Sequence, residues 1–210
     1  MGMVLDIGLI AVAYLLGSIP SAVWIGRRFY GVDVRQHGSK NAGATNTLRV
    51  LGLRAALPVF AIDMLKGLAA VMLSHLAGYP AGSDAMFNLK VALVAAAVIG
   101  HILPVFAGFK GGKGVATLAG AVLGVYPLAV LLCLVVFAVV FGLTRYVSLG
   151  SMSAGVAFPV FVIGVFGERS LALIVFSVVI ALLLLFTHRK NIRRLLSHTE
   201  SKTYLFKRKG

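Results

Sequence analysis

The chain has 210 residues, of which 60% are hydrophobic and 12% charged. Soluble domains carry about 25% charged residues, so this composition excludes a water-soluble globule. The formal net charge of +14 would suit nucleic acid, but cytoplasmic loops of membrane proteins concentrate Lys and Arg, so no nucleic-acid partner is expected. The lone cysteine, Cys133, rules out a disulfide within the chain.

A helix needs about 20 apolar residues to cross a bilayer. The first candidate span covers residues 7–24 and is closed by Arg27 and Arg28. It lacks a basic leader and reads as a retained helix rather than a cleaved signal. A second span covers 55–76 and a third 89–106. From 115 to 187 the chain is apolar almost throughout, with breaks at Pro127, at 144–145 and at 167–169. The basic residues collect at Arg27, Arg28, Arg35, Lys40, Arg49 and Arg54, at Lys110 and Lys113, and at eight positions after His188.

If those segments are cytoplasmic, the N-terminus lies outside. The chain then makes an even number of crossings between Lys113 and Arg189. The pieces 147–166 and 170–187 are long enough to cross out and back. The pieces 115–126 and 128–143 read as a shorter pair that enters and returns near Pro127, with Arg145 back on the inside. The expected fold is an all-α membrane protein. It has five full transmembrane helices plus two shorter membrane helices, the N-terminus outside and the C-terminus cytoplasmic. It forms a single domain over 1–210, with no internal repeat.

Three polar clusters fall on the expected cytoplasmic side. The first is GSKNAGATNTLRVLG at 38–52. If the helix starts near Asn41, then Asn41, Thr45 and Arg49 form one stripe at i, i+4 and i+8. Ser39 is placed to cap it, Asn46 adds an amide, and Arg49 can grip a phosphate through two N–H groups.

The second cluster is GFKGGKGVAT at 108–117. It is not the nucleotide-binding P-loop, since Lys113 is followed by Gly114 rather than Ser or Thr and no strand precedes it. The physics overlaps nonetheless. Gly111, Gly112 and Gly114 let backbone N–H groups approach an anion, Lys113 adds charge, and Thr117 stands in the first turn of the next helix.

The third cluster is HRKNIRRLLSHTE at 188–200. His188 and Asn191 share a helix face, while most of the arginines suit lipid headgroups. Asp63 and Lys66 lie inside the second span at i, i+3 and read as a structural ion pair, since charges at that depth are costly unless paired. His101 reads as a helix-packing hydrogen-bond donor. No His or Cys spacing suggests a metal site, and no cofactor is expected.

Taken in order, GSIP at 17–20, GSKNAGATNTLR at 38–49, DMLKG at 63–67, GHILPVFAGFKGGKGVAT at 100–117 and HRKNIRRLL at 188–196 resemble the bacterial integral-membrane glycerol-3-phosphate acyltransferases that use acyl-phosphate as donor. The resemblance covers nearly the whole chain. It implies transfer of a fatty acyl group from acyl-phosphate to the 1-hydroxyl of glycerol 3-phosphate, giving lysophosphatidic acid and phosphate for phospholipid synthesis. It implies a bacterial cytoplasmic (inner) membrane location, with the active site on the cytoplasmic face and membrane lipids as partners.

Carried over residue by residue, the resemblance implies catalytic roles for Ser39, Arg49, His188 and Asn191. It implies phosphate binding by Gly111, Gly112, Lys113 and Gly114, and it matches Glu200 to a family glutamate. His198 departs from the glycine common at that place in the family. The chemistry fits the inventory, because acyl-phosphate is a mixed anhydride with a good leaving group. No His-x-x-x-x-Asp pair is needed, and none of the five histidines has Asp five residues later. The alternative from another class is a membrane transporter of an organic phosphate. Against it, transporter sites commonly sit at mid-membrane between repeats, whereas these motifs gather on one face.

Overall fold

The structure is a computed structural model that describes residues 2–204. Of the eight basic residues after His188, Lys207, Arg208 and Lys209 lie outside the described residues. Among the described residues the fold is all-helical. The helices are α1 (Gly2–Gly17), α2 (Ser21–Tyr30), α3 (Ala44–Leu51), α4 (Leu53–Met72), α5 (Asp84–Ile102), α6 (Val115–Leu123), α7 (Pro127–Thr144), α8 (Val147–Val160), α9 (Leu171–Thr187) and α10 (Arg189–Leu196).

By length and composition, five candidate spans are present: Gly2–Tyr30, Leu53–Ala77, Asp84–Ala107, Pro127–Thr144 and Val147–Val165. Leu171–Thr187 makes a sixth when taken with Arg189–Leu196 across a 61° bend. One element differs from expectation. The segment expected as a short helix at 128–143 is an 18-residue helix, about 27 Å long. Pro127 opens α7, and at that first position its missing N–H has no partner to lose. The proline therefore starts a full-length helix rather than limiting a short one. The other expected short helix, α6, has nine residues.

The described helices form two compact units, divided between Tyr126 and Pro127. In the first, α1 packs on α5, and α4 packs on α6. Both crossings are built on glycine. A Cβ on Gly17 would overlap the Ala97 backbone, and one on Gly100 would overlap the Tyr14 carbonyl. Gly67 lies against the Thr117 carbonyl, and Gly120 against that of Met64. Lipid supplies no hydrophobic force between helices, so this close backbone approach is what holds them.

The first span is interrupted at 18–20, where Pro20 stands before Ser21. Two charged residues of α4 complete the break. Lys66 Nζ donates to the Ile19 carbonyl at 2.8 Å, and Ser21 Oγ donates to Asp63 Oδ1 at 2.8 Å. Asp63 and Lys66 also pair with each other at 2.7 Å and are only 1% and 5% exposed. They form the structural ion pair that their spacing suggested.

In the second unit α8 packs on α7 and on α9. The α7–α8 reversal takes only two residues, and Arg145 adopts φ +64° there. Pro159 lies inside α8, and the chain widens into a single π turn over Phe161–Val165, a known response to a missing N–H. After α10, the Thr203 N–H returns to the Arg145 carbonyl at 2.9 Å.

Candidate active site

In the first unit the fold brings the first two polar clusters together. Asp33 accepts from Arg27 at 2.8 Å and from the Arg35 guanidinium at 2.9 Å. The hydrogen bonds from Arg35 hold the Asp33 carboxyl well below the usual carboxylate range, against the opposing effect of its partial burial. The fixed guanidinium then donates across to the Ala107 carbonyl at 2.8 Å, tying the first loop to the entrance of the glycine loop. This clamp was not foreseen. Its signal is the tight D-x-R pair, which looks like ordinary loop charge in sequence.

The loop before α3 differs from expectation. The helix begins at Ala44, with Gly43 in extended conformation before it and no side-chain cap. Asn41 therefore lies outside the helix, and only Thr45 and Arg49 share the expected stripe. Ser39 does not cap. Its backbone N–H instead donates to Asn46 Oδ1 at 2.8 Å. Lys40 holds φ +58°, so the chain is turning where the helix was expected to start. Asn46 is buried, and its Nδ2 donates to the carbonyls of Val34 at 2.7 Å and His37 at 3.1 Å. The residue expected to bind substrate thus spends its amide shaping the loop that carries Ser39, which is exposed. Arg49 is half-buried in the last turn of α3.

The glycine loop also has a reason other than the expected one. The Gly111 N–H donates to the Ile102 carbonyl at 3.2 Å, and the Gly112 N–H to that of His101 at 3.1 Å. Both satisfy carbonyls left over at the end of α5. These two N–H groups are turned inward and do not form an anion cradle. The glycines are required by contact instead. A Cβ on Gly111 would overlap the His101 carbonyl oxygen and the Pro104 ring, and one on Gly112 would overlap His101 Nε2.

Gly114 sits at φ +82° and leads into α6. The first hydrogen bond of that helix is Leu118 N–H to the Gly114 carbonyl at 2.7 Å. The N–H groups of Val115, Ala116 and Thr117 therefore have no acceptor within the helix. The N–H groups that the helix leaves over thus sit one step later than the glycines suggested, after Lys113. The Thr117 hydroxyl does not join them, because the side chain is fully buried and bonded to His101 Nδ1 at 3.0 Å.

The third cluster belongs to the second unit. His188 stands at the bend between α9 and α10, is 2% exposed, and its Nδ1 lies 2.8 Å from the Leu184 carbonyl. A carbonyl only accepts, so Nδ1 carries a proton, and in the neutral ring Nε2 is the basic nitrogen. Asn191, one helical turn on, donates through Nδ2 to Glu200 Oε1 at 2.8 Å. The same oxygen accepts from Ser148 Oγ at 2.9 Å, and Arg194 pairs with Oε2 at 2.6 Å. Burial acts to raise the Glu200 carboxyl, but the bonds from Arg194, Asn191 and Ser148 prevail and hold it below its ordinary value. Sequence reasoning missed Ser148 and Arg194, whose partner is fixed only when 200–203 folds back.

These features define a multi-pass membrane protein with a glycine-led helix N-terminus next to a lysine, and with a buried histidine whose Nδ1 faces a carbonyl. The sequence profile of the glycerol-3-phosphate acyltransferase family matches residues 7–198, and the chain belongs to that family. A glycerol-3-phosphate acyltransferase of Chlorobium phaeobacteroides is 39% identical over 93% of this chain and 95% of its own length. One from Fusobacterium nucleatum is 42% identical over 92% and 95%. The crystal structure of PlsY (YgiH), an integral membrane glycerol 3-phosphate acyltransferase, in its glycerol 3-phosphate form superposes with a TM-score of 0.83. It is 37% identical and covers 95% of this chain and 96% of its own. The lysophosphatidic acid form gives 0.81 at 36% identity.

Proposed function

We propose that this protein transfers a fatty acyl group from acyl-phosphate to the 1-hydroxyl of glycerol 3-phosphate, yielding lysophosphatidic acid and phosphate. The observation that carries the reading is the full-length likeness to an acyltransferase seen in both a glycerol 3-phosphate and a lysophosphatidic acid form. One of these is the acceptor and the other the product of a single transfer.

In the reaction, the O1 oxygen of glycerol 3-phosphate attacks the acyl carbon. The bond from that carbon to the phosphate oxygen breaks, and phosphate departs with the electron pair. Lys113, Arg49 and the N–H groups opening α6 hold phosphate, because charge and dipole both favour an anion there. Ser39, on the loop braced by Asn46, and the neighbouring Asn41 and Thr45 orient the acceptor. The proton of the attacking hydroxyl passes to the phosphate of glycerol 3-phosphate itself. His188 and Asn191 orient groups during the reaction, and the whole chain serves as one acyltransferase domain.

The protein sits in the bacterial inner membrane with its N-terminus outside, its C-terminus cytoplasmic and its chemistry on the cytoplasmic face. The α6 helix spans about 13 Å, less than half of a hydrocarbon core of about 30 Å. The α7 helix, about 27 Å long, is long enough to make a crossing that ends at Arg145.

Purified protein in lipid, given glycerol 3-phosphate and an acyl-phosphate, should form lysophosphatidic acid and phosphate in equal amounts. Failure to form product with acyl-phosphate, or formation only from an acyl thioester, overturns the reading.

A further inference from the structure

His101 faces two ways from the end of α5, and both faces are covered. It is 6% exposed. Its Nδ1 lies 3.0 Å from the Thr117 hydroxyl in the first turn of α6. Its Nε2 lies under Gly112, where a Cβ on residue 112 would overlap it, with the Ala42 carbonyl as a second, looser neighbour at 3.0 Å. The His101 carbonyl also receives the Gly112 N–H. One residue therefore touches the middle of the glycine loop with its backbone and its ring tip, and the start of α6 with the near side of its ring.

From these contacts we infer that His101 is a positioning residue. It sets the separation between the glycine loop and the N-terminus of α6, and so the place where phosphate is held. The inference rests on the acyl-transfer reading above and deepens it. A base role fits the geometry poorly. Asp63 Oδ1 lies 3.6 Å from Nδ1, beyond the ordinary range of an N–H···O hydrogen bond, and that oxygen already accepts from Ser21 and pairs with Lys66.

The same contact accounts for the glycine. If Gly112 exists to let a phosphate approach, a methyl group at 112 blocks phosphate whatever stands at 101. If it exists to make room for the imidazole tip, shortening residue 101 relieves the methyl. Asn is the informative replacement. Its amide ends near the position of Nδ1, so it keeps the bond to Thr117 and lacks the tip.

The test is a cycle of wild type, His101→Asn, Gly112→Ala and the double variant, with His101→Ala in place of His101→Asn as a second background. Gly112→Ala in the wild-type background should raise KM for glycerol 3-phosphate at least about fivefold, the scale of an overpacked contact, with KM for acyl-phosphate little changed. Added to His101→Asn or His101→Ala, the same methyl should raise that KM by less than half as much, the remainder being its contact with the Ala42 carbonyl. His101→Asn alone should stay closer to wild type than His101→Ala. Melting temperatures without substrate should follow the same pattern, the methyl lowering stability most when His101 is present.

Equal effects of Gly112→Ala in all backgrounds, on KM or on melting, overturn the inference. A wild type that makes no lysophosphatidic acid sinks the acyl-transfer reading instead, and the melting cycle then still decides the contact.

Discussion

Removing one charge of the Asp63–Lys66 pair has consequences that the geometry lets us size. Asp63→Asn leaves an ammonium that is 5% exposed with no counter-charge, only neutral oxygens such as the Ile19 carbonyl at 2.8 Å. Breaking one side of a buried pair costs about 3–5 kcal/mol. Lys66→Met strands the carboxylate and takes one of two donors from the Ile19 carbonyl, which keeps the Ser21 N–H at 3.1 Å, adding about 0.5–1.5 kcal/mol. The double variant removes both charges, and Ser21 can still donate to the introduced amide oxygen. Its loss is then only one of the two hydrogen bonds to the Ile19 carbonyl, about 0.5–1.5 kcal/mol. For a chain of this size 1 kcal/mol moves the melting point by about 2–4 °C. Each single variant should therefore melt at least about 6 °C lower, and the double should be more stable than either. Thermal unfolding in detergent, followed by the fluorescence of Trp24, the chain's one tryptophan, would check this. Single-site costs that simply add, or a silent single variant, would refute the account of a coupled pair.

Lys113→Ala should raise KM for glycerol 3-phosphate about tenfold or more, since a charge-assisted phosphate contact is worth about 1.5–3 kcal/mol; wild-type kinetics in folded protein would remove Lys113 from the phosphate site. Asn46→Ala leaves the Ser39 N–H without its partner and takes one donor each from the Val34 and His37 carbonyls, so it should lower kcat/KM and increase proteolytic cutting within 36–42; an intact, fully active variant contradicts the bracing role. Glu200 has its pKa lowered on folding, so its stabilisation is complete above the unfolded value near 4.5 and fades as pH falls through the folded one. The melting gap between wild type and Glu200→Gln should accordingly be widest near neutral pH and shrink in acid, a constant gap counting against the assignment. A single cysteine at 145 in a Cys133→Ser background should be labelled from the cytoplasmic side, and labelling only from outside would reverse the topology.

The spans were legible because a bilayer imposes one simple requirement, a long run of apolar residues. Glycine at Gly67 and Gly120 gave no such signal, since a helix crossing depends on a partner that sequence does not name. The three polar clusters were legible as clusters, but the duties within them were not. Asn46 and Thr117 were expected at substrate, yet the fold uses both side chains inside the protein. The choice depends on Val34, His37 and His101, which lie 9–16 residues away. Gly111 and Gly112 matched an anion-loop pattern because both purposes demand a missing side chain. Only the direction of their N–H groups separates the two. Asp63 and Lys66 could be paired from spacing alone, whereas their second partners, Ser21 and Ile19, required the chain to be folded.

Those second partners also bear on how the protein is made. The break in the first span is closed by residues that lie 42 and 47 positions further along the chain. A ribosome adding about 5–20 residues per second needs several seconds to supply them. Until then α1 and α2 enter the bilayer with the Ile19 carbonyl and the Ser21 hydroxyl lacking their final partners, which is unfavourable in hydrocarbon. In turn, α4 arrives with two charges that only this break can fully accommodate. Each segment is a poor membrane helix alone and a good one beside the other, so the two are coupled at insertion. Stable integration of the first span should wait for the second.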